Sequence, residues 1–201
     1  MKIRSLMIQN PITITEDASI EEAIEIMKTN SIRHLPVVSG GKMLKGLVTL
    51  ADLKIGLIPS MLADLTLADL MIKDPFTLDP NNDIELAAQL IYKYKIGGIP
   101  VVKRGRLVGI ITETDLLRAF IDMMGMLSAS SRIDVVIGTQ PGSFNKAAQV
   151  VQAHGGEIMS VGIVGERGRK KTYLFRMNPC KTKPIKDALE KEGFKVADAM
   201  D

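Results

Sequence analysis

Met7-Ile8-Gln9-Asn10-Pro11-Ile12-Thr13-Ile14 returns 64 residues later as Met71-Ile72-Lys73-Asp74-Pro75-Phe76-Thr77-Leu78, and that repetition decides the fold. Outward from it, Ile32-Arg33-His34-Leu35-Pro36-Val37-Val38 returns as Ile96-Gly97-Gly98-Ile99-Pro100-Val101-Val102. A third block, Gly46-Leu47-Val48-Thr49-Leu50-Ala51-Asp52-Leu53, returns as Gly109-Ile110-Ile111-Thr112-Glu113-Thr114-Asp115-Leu116 after a one-residue deletion. Over these blocks and the intervening helix, 15 of 40 aligned positions are identical, too many for coincidence in units of this period. Two copies of one small unit should pack as a pseudo-symmetric pair with clefts related by the internal two-fold. Such an arrangement points to a binding module before it points to an enzyme.

Each copy reads strand, helix, strand, strand, helix. In the first, Ile12 to Ile14 is expected as a short strand. Ser19 and Glu22 have capping-box spacing before a helix whose apolar stripe is Ile20, Ala23, Ile24 and Met27. His34 to Val38 then turns at Ser39-Gly40-Gly41 into a strand through Gly46 to Val48, and a helix begins near Thr49. The second copy repeats the order, with Asp83 as cap, Ile84, Ala87, Ala88 and Ile91 as the stripe, and Lys103-Arg104-Gly105-Arg106 as the hairpin turn. Residues 54–70, broken by Pro59, connect the copies. The first copy is assigned to 1–60, the second to 61–125, and the serine-rich run at 126–131 to a linker.

A different pattern fills 132–201. Ile133 to Gly138 reads as a strand, Ser143 to His154 as a helix ended by Gly155-Gly156, and Ile158 to Val164 as a strand. Gly165 to Lys170 is the expected turn, Lys171 to Met177 a strand, Pro184 to Glu192 a helix, and Phe194 to Ala199 the last strand. This βαββαβ order is ferredoxin-like.

Bulk properties bound the function. The 46% apolar content suffices for real cores, and the net charge of +3 divides into −1 over 1–131 and +4 over 132–201, which calls for no nucleic acid. A lone Cys180 closes no internal disulfide, and with two distant histidines no metal cluster is expected; a reducing cytoplasm fits. No leader peptide and no membrane span are expected. The twelve methionines read as flexible core filler. The basic run Arg167-Gly168-Arg169-Lys170-Lys171 falls at a hairpin turn and reads as solvated.

The residues best placed for chemistry are the paired boxes Gly46-x-x-Thr49-x-x-Asp52 and Gly109-x-x-Thr112-x-x-Asp115. Each sets a hydroxyl and a carboxylate at the start of a helix directly after a strand. There the amides and threonine can face an anion while the carboxylate accepts from ribose hydroxyls. The same spacing is that of a capping box, and the two roles are not exclusive.

The repeated Pro-x-Thr, Leu/Ile-Pro-Val-Val and Gly-h-h-Thr-x-x-Asp motifs, where h is apolar, resemble the tandem cystathionine-β-synthase (CBS) domain pair, or Bateman module, over about residues 1–122. The resemblance implies a regulatory module binding AMP, ADP, ATP or S-adenosylmethionine between the repeats. It implies that Asp52 and Asp115 hold ribose and Thr49 and Thr112 approach phosphate. Thr13 and Thr77, with the backbone around Leu35-Pro36 and Ile99-Pro100, would line the base. Arg33 and His34 stand where family members often keep phosphate-binding basic residues, against Gly97 and Gly98 in the second copy, so the two clefts should be unequal.

The C-terminal unit resembles an ACT domain, with Pro141-Gly142-Ser143 at the strand-to-helix loop where that family can bind amino acids. A CBS pair followed directly by ACT resembles the acetoin utilisation protein B family of bacteria, which implies a cytoplasmic regulatory protein of acetoin and acetyl-group metabolism. No Rossmann Gly-x-Gly-x-x-Gly follows a strand and no nucleophile–base pair is seen, so an enzyme is not expected. A homodimer is expected, acting on a regulated protein that the sequence does not name; the alternatives are a dual sensor of nucleotide and amino acid and a ligand-free oligomerisation scaffold.

Overall fold

The computed structural model describes residues 1–55 and 65–201; Pro59 and most of the expected connection lie outside them. The elements are a 3-10 turn at Ile3–Ser5, β1 (Ile8–Gln9), α1 (Ile20–Thr29), β2 (His34–Ser39), β3 (Met43–Thr49) and α2 (Leu50–Ile55). After the gap come α3 (Leu67–Leu70), β4 (Ile72–Lys73), α4 (Ile84–Tyr94), β5 (Gly98–Lys103), β6 (Arg106–Thr112) and α5 (Glu113–Met124). The C-terminal elements are β7 (Ser131–Ile137), α6 (Ser143–Ala153), β8 (Ile158–Arg167), β9 (Lys170–Met177), α7 (Thr182–Lys191) and β10 (Lys195–Met200). The chain divides into two units, Met1–Leu117 and Arg118–Asp201.

In the first unit the two hairpins, β2–β3 and β5–β6, repeat down to their irregularities. Both carry a register shift at the equivalent place, Val37/Val38 and Val101/Val102. The one-residue deletion is at the hairpin tip: Gly40-Gly41-Lys42 links the first pair, whereas Arg104-Gly105, both at positive φ, link the second, as a two-residue hairpin loop requires. Positive φ also recurs at Asn10 and Asp74, and at Ser31 and Lys95, each pair 64 residues apart.

The short strands are exchanged. β1 stands at the start of the first copy but pairs with β6 of the second (Ile8 with Ile110, Gln9 with Gly109), and β4 pairs with β3 of the first (Ile72 with Leu47, Lys73 with Gly46). The expected strand at Ile12 to Ile14 is reduced to one parallel bridge, Ile14 to Val37, because the pairing edge lies upstream and on the other copy. Side chains follow the backbone. Ile3 is fully buried among Leu78, Ala87, Ile99, Val101 and Ile111 of the second copy, while Leu67 is fully buried among Ile14, Ile24, Leu35, Val48 and Leu53 of the first. Each such burial contributes about 1.5–3 kcal/mol. Chain segments 1–9 and 67–73 therefore complete the core of the copy to which they are not adjacent in sequence.

The helices obey their stripes with one exception. All four α1 positions are buried, and Ser19 Oγ accepts from Glu22 N at 3.0 Å. On α4, Ala87 is buried but Ala88 is exposed, the face being completed by Leu90 and Ile91; Asp83 bonds Lys2 Nζ rather than capping with its side chain. The methionine expectation also fails: only Met27 and Met177 are fully buried among the described residues, and six others are exposed.

The second unit has the expected βαββαβ order, with an antiparallel sheet ordered β10-β7-β9-β8. Its core of Ile133, Val135, Val151, Phe175, Ile185 and Leu189 lies between that sheet and the two helices. β8 runs on to Arg167, so the turn is only Gly168-Arg169. The serine run is hydrogen-bonded: Ser130 Oγ accepts from Arg176, and Ser131, already in β7, bonds both Cys180 N and O at 2.8 Å.

The exchanged strands explain the first glycine of each box. A Cβ on Gly46 would lie 2.7 Å from Met71 Sδ and 2.9 Å from Ile72 O, and one on Gly109 would lie 2.6 Å from Met7 Sδ and 3.0 Å from Ile8 O. Gly46→Ala and Gly109→Ala are each expected to destabilise the unit by about 1–3 kcal/mol, measured by urea denaturation, against a near-neutral Gly40→Ala, whose Cβ would meet open space.

Candidate functional site

Both boxes close on themselves. Asp52 Oδ2 accepts from Thr49 N at 3.0 Å and Thr49 Oγ1 at 2.6 Å, and Asp115 Oδ2 accepts from Thr112 N at 2.8 Å and Thr112 Oγ1 at 2.7 Å. These bonds cap α2 and α5 while leaving each carboxylate half-buried with its second oxygen outside the bonds just named. Thr66 and Asp69, which lack the preceding Gly-h-h, make the same closure at 3.0 and 2.6 Å. The Thr-x-x-Asp geometry is thus a cap in its own right, and what distinguishes Thr49 and Asp52 is their surroundings.

Those surroundings are a cavity of about 400 Å³ that takes one wall from each copy, a size suited to a small ligand. His34, Leu47, Thr49 and Asp52 come from the first copy. Ile72, the turn Asp74-Pro75-Phe76, and the segment Lys95-Ile96-Gly97-Gly98 come from the second. Of the residues read from sequence, His34, Thr49, Asp52 and Gly98 meet here. Thr112 and Asp115 occupy the pseudo-equivalent place, where Arg33 Nη2 pairs with Glu113 Oε1 at 3.4 Å across the copies. Leu35 and Ile99 are fully buried core residues, and the carbonyls of Pro36 and Pro100 accept from Ile14 N and Leu78 N, both at 3.1 Å. Thr13 is half-buried and Thr77 exposed, and neither lines this cavity.

Phe76 and Lys95 are the residues that motif reading missed. Phe76, 45% exposed, stacks on Tyr94 at 4.5 Å between centroids, and its pseudo-equivalent is Ile12; the pseudo-equivalent of Lys95 is Ser31. The only signal available was the repeat alignment, in which these positions differ in kind. His34 adds a further asymmetry by packing on the glycines that replace its own counterparts: a Cβ on Gly97 would stand 2.7 Å from His34 Nε2, and one on Gly98 3.1 Å from its Cγ. Burial, then the Arg33 guanidinium, pushes the His34 imidazole below its ordinary value, with Glu113 and Asp52 opposing.

In the second unit, Gly142 is the N-cap of α6 at φ 81°, and Ser143 lines a separate cavity of about 770 Å³; Pro141 and Gly142 do not. Among the described residues no group of three or more His, Cys, Asp or Glu could hold a metal ion, and no helix is long and apolar enough to cross a membrane.

The family model for the CBS domain matches twice, over residues 3–57 and 67–122. The chain belongs to the CBS-domain family. A homoserine O-acetyltransferase of Methanocorpusculum labreanum is 39% identical over 58% of this chain, which spans 23% of that enzyme. A CBS domain-containing protein of Dictyostelium discoideum is 30% identical over 61% of this chain and 92% of its own length. Similar solved structures include the CBS pair of protein MJ0100 in complex with 5′-methylthioadenosine and S-adenosyl-L-methionine (30% identity, TM-score 0.56, 60% of this chain and 95% of that one). CBSX2 in complex with AMP matches at 26% identity and TM-score 0.55, over 60% and 96%. A protein assigned to acetoin utilization (AcuB) from Vibrio cholerae matches at 31% and 0.57, over 63% and 94%. The match to the acetyltransferase thus covers a minor part of that enzyme.

The lowered proton affinity of His34 fixes a sign. A histidine that holds its proton less well folded than unfolded leaves stability intact above the unfolded pKa of about 6.5 and erodes it as pH falls below that value. Urea midpoints are expected to drop between pH 7 and 5, and His34→Gln to flatten part of that slope.

Proposed function

We propose that this CBS-domain protein is a non-catalytic regulator that senses an adenosyl ligand, AMP, ADP, ATP or S-adenosylmethionine, through its CBS pair. The observation that carries the reading is the convergence, in one cavity, of a capped half-buried carboxylate, a hydroxyl, an exposed aromatic ring and a cation. The free oxygen of Asp52 is suited to accept from ribose hydroxyls, the face of Phe76 to stack on a purine, and Lys95 to meet phosphate. At the pseudo-equivalent place Arg33 is already paired with Glu113, whereas Lys95 forms no ion pair among the described residues, so the cleft at Asp52, with its cation uncommitted, is the stronger site. The complexes of MJ0100 and CBSX2 with adenosyl compounds support the ligand class. A switch follows if the ligand prefers one arrangement of the two copies, whose cores share exchanged segments.

The C-terminal unit acts in this reading as an ACT-type domain, supported by its βαββαβ order and β10-β7-β9-β8 sheet. Its edge strand β8 exposes Met159, Val161, Ile163 and Val164, an unpaired apolar edge of the kind that a partner covers, and homodimerisation through it completes the proposal. The setting is a cytoplasmic one, with acetoin and acetyl metabolism suggested by the likeness to the Vibrio protein.

Thermal shift tests the sensor. AMP or S-adenosylmethionine at a hundred times its dissociation constant is expected to stabilise by about 2.7 kcal/mol. Asp52→Ala is expected to abolish the shift and Asp115→Ala to reduce it less; no shift with any adenosyl compound overturns the reading. In sedimentation, Ile163→Lys is expected to convert a dimer to a monomer.

A further inference from the structure

We infer that the cavity in the C-terminal unit binds a small polyanion, a molecule carrying two or more phosphate groups, at a site separate from the CBS pair. The cavity is the largest of those described, about 770 Å³, and lies among the β7–α6 loop, the β8–β9 hairpin and the turn from α7 into β10. Five cations line it, Lys146, Arg167, Arg169, Lys170 and Lys195, against one carboxylate, Glu192. That carboxylate is already engaged: Lys146 Nζ lies 2.7 Å from Glu192 Oε2 and holds its carboxyl below the usual range. Arg167, Arg169, Lys170 and Lys195 form no ion pair among the described residues.

Four like charges around one concavity repel each other, and a bound anion relieves the repulsion. The backbone adds to the attraction. α6 begins beside the cavity with a glycine N-cap that makes no side-chain bond to its first amides; Ser143 N donates to Gln140 O at 3.2 Å, so the eleven-residue helix contributes the positive end of its dipole rather than a free first amide. Thr139, Ser143 and Thr172 supply hydroxyls around the same space, and Phe194 and Val136 give it an apolar floor.

The charge pattern selects among ligands. A free amino acid, which the sequence reading placed at this loop, brings one carboxylate and one ammonium, and the only carboxylate here is occupied by Lys146. Two or more phosphates match four uncommitted cations, with arginines suited to bidentate contact. A concave site of this volume suits a small molecule rather than a nucleic-acid backbone, which tracks an extended basic groove.

Pyrophosphate is the probe, because it lacks the adenosine that the CBS cleft would recognise. Calorimetry at low ionic strength on the full chain is expected to show binding that weakens about tenfold or more in the double variant Arg167→Gln/Arg169→Gln, the loss expected for two charge-assisted contacts. Lys171→Gln removes a charge from the same hairpin outside the cavity lining and is expected to change affinity less than about twofold. Asp52→Ala is expected to leave pyrophosphate binding intact while removing the AMP response, so the two readings fail separately. No binding, equal weakening by the Lys171 variant, loss in Asp52→Ala, or tighter binding of a single-stranded RNA than of pyrophosphate each overturns the inference.

Discussion

The first unit depends on the approach of an exchanged strand to a glycine. β1 and β4 run so close over Gly109 and Gly46 that a methyl group at either would enter the van der Waals shell of a methionine sulfur and a backbone carbonyl. This contact lets segments 1–9 and 67–73 cross to the opposite copy, and the crossing places the 74–76 turn over the α2 N-terminus to form the cavity. The first residue of the Gly-x-x-Thr-x-x-Asp box is therefore a packing requirement, and the last two are where capping and recognition coincide.

Pseudo-symmetry of the backbone then makes chemical asymmetry easy to see. The same positive-φ turns hold Asn10 and Asp74, Ser31 and Lys95, but where Phe76 and Lys95 line one cleft the pseudo-equivalent positions carry Ile12 and Ser31. His34 deepens the difference by filling the space that Gly97 and Gly98 leave. Two sites built from one template thus differ because a few side chains changed on an almost unchanged frame, the usual way function is grafted onto a fold.

Much of this was legible in the sequence because it rests on local rules. The α1 stripe, both hairpins, the tip deletion and the βαββαβ order all follow from periodicity and turn chemistry. What escaped depends on partners distant in sequence. Ile12 to Ile14 has strand-like composition but finds no edge beyond one bridge at Ile14, and Ala88 falls off the buried face because α4 is covered along Ala87, Leu90 and Ile91. Phe76 and Lys95 carry no motif, and only the folding of one copy against the other brings them to Asp52.

The exchange also bears on how the chain is made. Ile3 is synthesised well before the residues that bury it, because its burial site contains Ile99, Val101 and Ile111, about a hundred residues downstream. The first copy can gather α1 and its own hairpin as they emerge, but its N-terminal segment has no core to join until β6 is complete. Pairing of that sequence separation carries a high contact order, which slows folding and prolongs the exposure of apolar surface. The two copies are therefore one cooperative object rather than two beads: neither has a finished interior while it is alone.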